Sequence, residues 1–239
     1  MKGGADNGRI VGGQETEEHE YPWQVHLVVY EKLVNMFLQV LVSRDGQIPW
    51  CGGTLISSTH VLTAAHCTEG SAASSIRVIL GEHNIADSDF NRVDVAEIIN
   101  HPDYNSGTID NDYAILRLKN PVNFTNEVSP ACLPADLSAT YAGVTATVTG
   151  WGGLSTDGGR PDVLHEVDIP VITNAKCKKA YADRGYKITK NMIFLPHEIL
   201  PQPPSSSYIT LCWTQHIENK KKLRTDNIFP HILQMFISI

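Results

Sequence analysis

No stretch of the chain approaches the ~18 consecutive apolar residues that a bilayer-spanning helix needs, so a membrane-embedded role is not expected. Positive charge is also scarce. The formal net charge is -7, and the one basic cluster, Lys220 to Lys222 with Arg224, is short. Phosphate backbones require a basic face, so nucleic acid is not an expected partner, and the cluster reads as a solvated run. Met1 to Arg9 is polar and contains glycine, without the apolar core of a secretory signal; a secreted form would carry its leader upstream. Cysteine is sparse and odd in number: five in 239 residues, which in a secreted protein implies a free thiol or an intermolecular bridge. Glycine is missing from one region altogether. All 18 glycines precede Ile193, and the residues from Phe194 to Ile239 contain no alanine or valine either. At ordinary usage about three glycines would fall in a segment of that length.

What remains is an ordinary globular composition, with 42% hydrophobic and 19% charged residues. The length suits one domain, or two small ones sharing a cleft. Up to Ile193, short β-rich apolar runs such as Ile76 to Leu80, Ala114 to Leu118 and Val144 to Val148 alternate with turn residues. Asn105-Ser106-Gly107 and Thr156-Asp157-Gly158-Gly159 are two such turns. Short strands at this spacing predict an all-β barrel or sandwich. The stretch Tyr30 to Val42 separates two segments that would read as one hairpin; it is either an elongated strand pair or inserted material. Beyond Ile193 the chain collects Ile, Leu, Lys, Asn, Phe and Ser, together with Pro196, Pro201, Pro203, Pro204 and Pro230. A barrel without glycine for its turns is hard to build, and this tail reads as alien to the domain before it.

Four segments carry the chemistry. They are Arg9-Ile10-Val11-Gly12-Gly13; Cys51-Gly52-Gly53-Thr54-Leu55-Ile56 with Leu62-Thr63-Ala64-Ala65-His66-Cys67; Asp110-Asn111-Asp112-Tyr113-Ala114-Ile115-Leu116; and Gly150-Trp151-Gly152. In this order and spacing the chain resembles the trypsin/chymotrypsin-like serine endopeptidases from about Arg9 to Ile193. The resemblance implies an all-β fold of two antiparallel β-barrels with the active site between them, the first complete and the second truncated. The implied layout is residues 1–9 as the remnant of an activation peptide, 10–130 as the first barrel, 131–193 as a partial second barrel, and 194–239 as an unrelated tail. The interruption at 30–42 falls inside the first barrel.

A serine hydroxyl is a poor nucleophile unless an imidazole accepts its proton. By resemblance His66 is that base, and Asp112 is the carboxylate that fixes the imidazole tautomer and offsets its charge. Asp110 reads as a solvated neighbour. Cys67 resembles the cysteine that pairs with Cys51, a short bridge fixing the loop of the base. Arg9-Ile10 resembles a zymogen activation bond, cut by an activating protease; in the family the new amine of Ile10 pairs with an aspartate next to the nucleophilic serine. A buried ammonium needs such a partner.

The family places its nucleophile in a G-D-S-G-G-P segment, and this sequence contains none. Ser205, Ser206 and Ser207 follow Pro203-Pro204, lack the glycines that would supply oxyanion N–H donors, and read as a polar loop. Cys177 resembles a cysteine whose partner would stand where Phe194 is found. The resemblance therefore implies a serine-type endopeptidase acting on protein or peptide substrates, secreted by family, but inactive as this chain. The alternatives are a non-catalytic homologue that binds a protein partner, and a mis-spliced product without stable function.

Glu82, Asn84, Asp87 and Asp89 resemble a calcium loop, and oxygen ligands on such a loop suit a hard cation; an acidic solvated turn explains them equally. No cofactor is otherwise required. Asn123-Phe124-Thr125 is a glycosylation sequon, meaningful in a secretory chain. Cys132 sits where some relatives bridge to a propeptide, although residues 1 to 9 contain no cysteine; Cys212 matches nothing.

Overall fold

A computed structural model describes residues 13–30, 47–86, 91–132, 140–152, 161–182, 187–190 and 192. Its strands are β1 (Gln14–Glu15), β2 (Gln24–Tyr30), β3 (Gln47–Ser57), β4 (His60–Thr63), β5 (Ile76–Leu80), β6 (Asn91–Asn100), β7 (Ala114–Leu118), β8 (Thr145–Gly150) and β9 (His165–Pro170). One short helix follows, α1 (Asn174–Ala180).

Six of the strands close into an antiparallel barrel in the order β2-β3-β4-β7-β6-β5, with β5 returning to β2. Closure removes the edges that an open sheet would offer to other chains. Strand alternation fills the interior. Ile76, Val78 and Leu80 of β5 point inward, where they join Val25 and Leu27 of β2 and Leu116 of β7. Gly53 allows two strands to approach closely at the centre of this core. A Cβ there would lie 2.9 Å from Val25 Cγ2 and 3.1 Å from the Leu62 carbonyl oxygen. A smaller apolar cluster, Ile56, Leu62 and Ile115, packs on the outer face with Tyr113 against it.

The hairpin read across Tyr30 to Val42 is present. β2 and β3 pair antiparallel out to Tyr30 opposite Gln47, and residues 31–46 between them lie outside the described residues. β8 and β9 pair antiparallel from Thr145–Pro170 to Gly150–His165, and β1 adds to β9 through Gln14–Glu166 and Glu15–His165. The division at residue 130 is thus crossed: β1, early in the chain, belongs to the second sheet. Among the described residues that sheet has the order β1-β9-β8.

The barrel and the sheet meet through the outward face of β2. Thr149 Oγ1 donates to Gln24 Oε1 at 2.9 Å in a buried setting, and the His26 ring stacks on Trp151 with centroids 5.5 Å apart. Trp151 Nε1 donates to the carbonyl of His83 at 3.0 Å, so the Gly150-Trp151-Gly152 segment is anchored to the turn after β5. Tyr21 donates its hydroxyl to the Glu166 carboxylate; burial first, and that carboxylate second, push the phenol up. The Cys177 segment forms the short helix α1. Thr173 caps it by accepting the Lys176 N–H at 3.2 Å, while Cys177 packs beneath it against Met192.

Candidate active site

His66 and Asp112 come from opposite ends of two paired strands. β4 runs antiparallel to β7 with Thr63 opposite Ala114, so the residues just after β4 and just before β7 emerge at the same rim of the barrel. His66 lies in a short 3-10 turn, Ala65–Cys67, immediately after β4, and Asp112 lies two positions before β7 begins. Strand register alone therefore brings together residues 46 positions apart. Thr63 steadies the approach by donating its hydroxyl to the Gly52 carbonyl at 2.9 Å.

The contact is two-pronged. Asp112 Oδ1 accepts the backbone N–H of His66 at 2.8 Å, and Asp112 Oδ2 lies 2.6 Å from His66 Nδ1. An ionised carboxylate can only accept, so the proton of the neutral ring is on Nδ1 and the lone pair on Nε2. Asp112 is buried, with 4% of its side chain exposed, whereas His66 retains 35%. The carboxylate is thus shielded from water and the imidazole remains reachable. Such an arrangement fixes a tautomer, offsets positive charge on the ring, and presents Nε2 as a proton acceptor.

The loop that carries Asp112 makes further contacts of its own. Asp110, read as a solvated neighbour, is instead half-buried. It accepts the hydroxyl of Thr189 at 2.8 Å and the N–H of Asn111 at 3.2 Å, because the segment after α1 packs across this loop. The His101 and Tyr113 rings pack on each other with centroids 4.5 Å apart. Tyr104 was not singled out from sequence. Its buried hydroxyl has no hydrogen-bond partner among the described residues, and burial, followed by the nearby Asp112 charge, pushes the phenol up to about 12. A tyrosine within a polar run carries no periodic signal that would have marked it.

Cys51 and Cys67 form a disulfide with Cα atoms 6.2 Å apart, tying β3 to the turn that carries His66. Arg9, Ile10, Asp87, Asp89, Ser205 to Ser207 and Cys212 lie outside the described residues, as does Phe194. Of the calcium set, Glu82 and Asn84 are described. Asn84 Oδ1 accepts the Ala86 N–H at 3.0 Å, and among the described residues no group of acidic side chains gathers at this turn. Asn123 is exposed beyond β7. The Thr125 hydroxyl of its sequon donates to Glu127 at 2.6 Å, and this bond holds the Glu127 carboxyl below the usual range. Cys132 is a free, exposed thiol and Cys177 a free, buried one.

Comparison with known proteins gives a consistent picture. A family model described as Trypsin matches residues 10–197, four positions past the composition break at Ile193. Serine protease 1 of Rattus norvegicus is 36% identical over 191 residues, covering 79% of this chain and 67% of that protein. Trypsin-4 of the same species is 36% identical over 193 residues, covering 80% and 68%. Serine protease filzig of Drosophila melanogaster is 40% identical over 184 residues, 75% of this chain but 10% of filzig. The chain thus spans about two thirds of the rat relatives and a tenth of the insect one.

Proposed function

The chain belongs to the trypsin family, and from that premise we propose that it carries the base-and-carboxylate half of a serine endopeptidase centre without the nucleophile it would serve. His66 is the general base and Asp112 its orienting carboxylate. The observation that carries this reading is the doubly bonded His66–Asp112 pair, with the carboxylate buried and the ring partly open. In a version of the protein that supplies a serine and oxyanion donors, His66 Nε2 would take the hydroxyl proton as the oxygen attacks a peptide carbonyl, then return it to the leaving amine.

In the 239-residue chain no G-D-S-G-G-P segment is present, so proteolysis is negligible. Removing one triad member can leave ~10³–10⁴-fold catalysis through the oxyanion hole and binding, but this sequence lacks the glycine-flanked donors as well. Cleavage after Arg9 by a protease that prefers basic residues would generate the Ile10 amine in a secreted form of the chain. Hydrolysis of a panel of peptide amides tests the reading: the Arg9-cleaved chain and its His66→Ala variant should turn over equally slowly. A rate that falls at least about 100-fold on His66→Ala would contradict it.

A second reading, a non-catalytic homologue that binds a protein partner, draws support from the closed first barrel. It requires a monomer that melts cooperatively; aggregation at β8 and β9 would argue for an unstable product.

A further inference from the structure

The disulfide beside His66 has a second chemistry available to it. Among the described residues the donor atoms of Cys51, His66 and Cys67 form a compact group, all within 4.8 Å of one another. Cys67 Sγ lies 3.5 Å from His66 Nε2. Zinc binds imidazole nitrogen at about 2.0–2.1 Å and thiolate sulfur at about 2.3 Å, so a tetrahedral angle between them sets nitrogen and sulfur about 3.5 Å apart. Both cysteines are buried, with Cα atoms 6.2 Å apart, and after reduction the two sulfurs would need to separate to about 3.8 Å to share one tetrahedral zinc. The outer support is also in place: Asp112 bonds Nδ1, which directs Nε2 toward the sulfurs, as carboxylates do for metal-bound histidines.

We propose that, once the Cys51–Cys67 disulfide is reduced, Cys51, Cys67 and His66 bind a zinc ion with one tetrahedral position left open. Reduction by a phosphine in water balances the step. The phosphine takes up the water oxygen and becomes the oxide, its two electrons break the S–S bond, and the water protons complete two thiols. Zinc then displaces both thiol protons to solvent. Oxidised, the sulfurs are not thiolates and the site does not exist. The metal would occupy the nitrogen assigned above as the proton acceptor, so reduction plus zinc would disable the base. The inference does not depend on His66 having acted on a serine.

Cobalt(II) titration of the phosphine-reduced full chain provides the test, with zinc as competitor. One equivalent of cobalt should produce thiolate-to-metal charge-transfer absorption and the visible bands of a tetrahedral ion, both lost when zinc is added. The oxidised chain should show neither. Asp112→Asn should weaken binding about 10–100-fold and His66→Ala by at least about tenfold. Equal binding in His66→Ala, or the same spectrum in Cys51→Ser/Cys67→Ser, which retains the other three cysteines, overturns the proposal. So does a reduced chain that gives no thiolate absorption, or one whose β-sheet circular dichroism is lost with or without cobalt.

Discussion

Asp112 is bonded twice to one residue, with Oδ1 on the backbone N–H of His66 and Oδ2 on its ring Nδ1. The first bond fixes where the 3-10 turn sits and the second fixes how the ring is turned. Replacing Asp112 with Ala leaves a half-buried N–H unsatisfied and releases the ring. We expect a loss of about 1.5–3 kcal/mol in denaturant unfolding, the range for a hydrogen bond to a charged group. The low-field Nδ1 proton resonance of His66 should vanish. Asp110→Ala loses the Thr189 bond but leaves Asp112 in place, so that resonance should persist in it.

The Cys51–Cys67 bridge spans 16 positions. Loop-closure entropy for that length is worth about 3 kcal/mol. The Cys51→Ala/Cys67→Ala variant should therefore unfold at lower denaturant but still fold, because the barrel is closed by strand pairing all the way round. Urea titration of both proteins checks this, with a lower midpoint and a somewhat steeper slope expected for the variant, whose unfolded chain is no longer cross-linked.

Gly53 has almost no room for a side chain. Gly53→Ala places a methyl 2.9 Å from Val25 Cγ2, 3.0 Å from Val61 Cγ1 and 3.1 Å from a backbone oxygen. The side chains can shift a little, but the backbone oxygen cannot move without disturbing the β3–β4 pair. A destabilisation of about 1–3 kcal/mol is expected, measured by the same unfolding assay.

Burial pushes the Cys177 thiol up to about 12. In the unfolded chain the same thiol ionises near pH ~8.5. The folded protein thus keeps a proton that the unfolded one loses, and the associated stabilisation is full below the unfolded value and is lost as pH rises toward the folded one. Stability should fall more steeply above about pH 9 in the native sequence than in Cys177→Ala. Peptide mapping after a short alkylation at pH 8 should find Cys132, which is exposed, modified and Cys177 spared.

Much of the barrel was legible in the sequence, because its signals are local. Ile76 to Leu80 and Ala114 to Leu118 are strands at those bounds, since alternating branched residues between turns leave few other options. Val144 to Val148 is displaced by one residue at its start and extends to Gly150, an uncertainty normal for strand ends. His66 and Asp112 were singled out by motif, and the structure brings them within hydrogen-bonding distance. The missed features are long-range or short. β1 pairs Gln14 with Glu166, and both side chains are polar, so no apolar alternation announces the contact. The Thr189–Asp110 bond joins two polar residues 79 positions apart. Helix α1 has only 7 residues with one buried, too few for a helical period to be counted, although Thr173 gives a cap signal in hindsight.

The proposal that His66 serves as a base without a serine to activate in this chain is tested most directly by active-site labelling. The Arg9-cleaved chain would be incubated with a serine-directed fluorophosphonate and its intact mass recorded. An unchanged mass after prolonged exposure is expected, with a full-length trypsin labelled completely in parallel. Addition of one phosphonyl group per chain at a serine, abolished by His66→Ala, would contradict it.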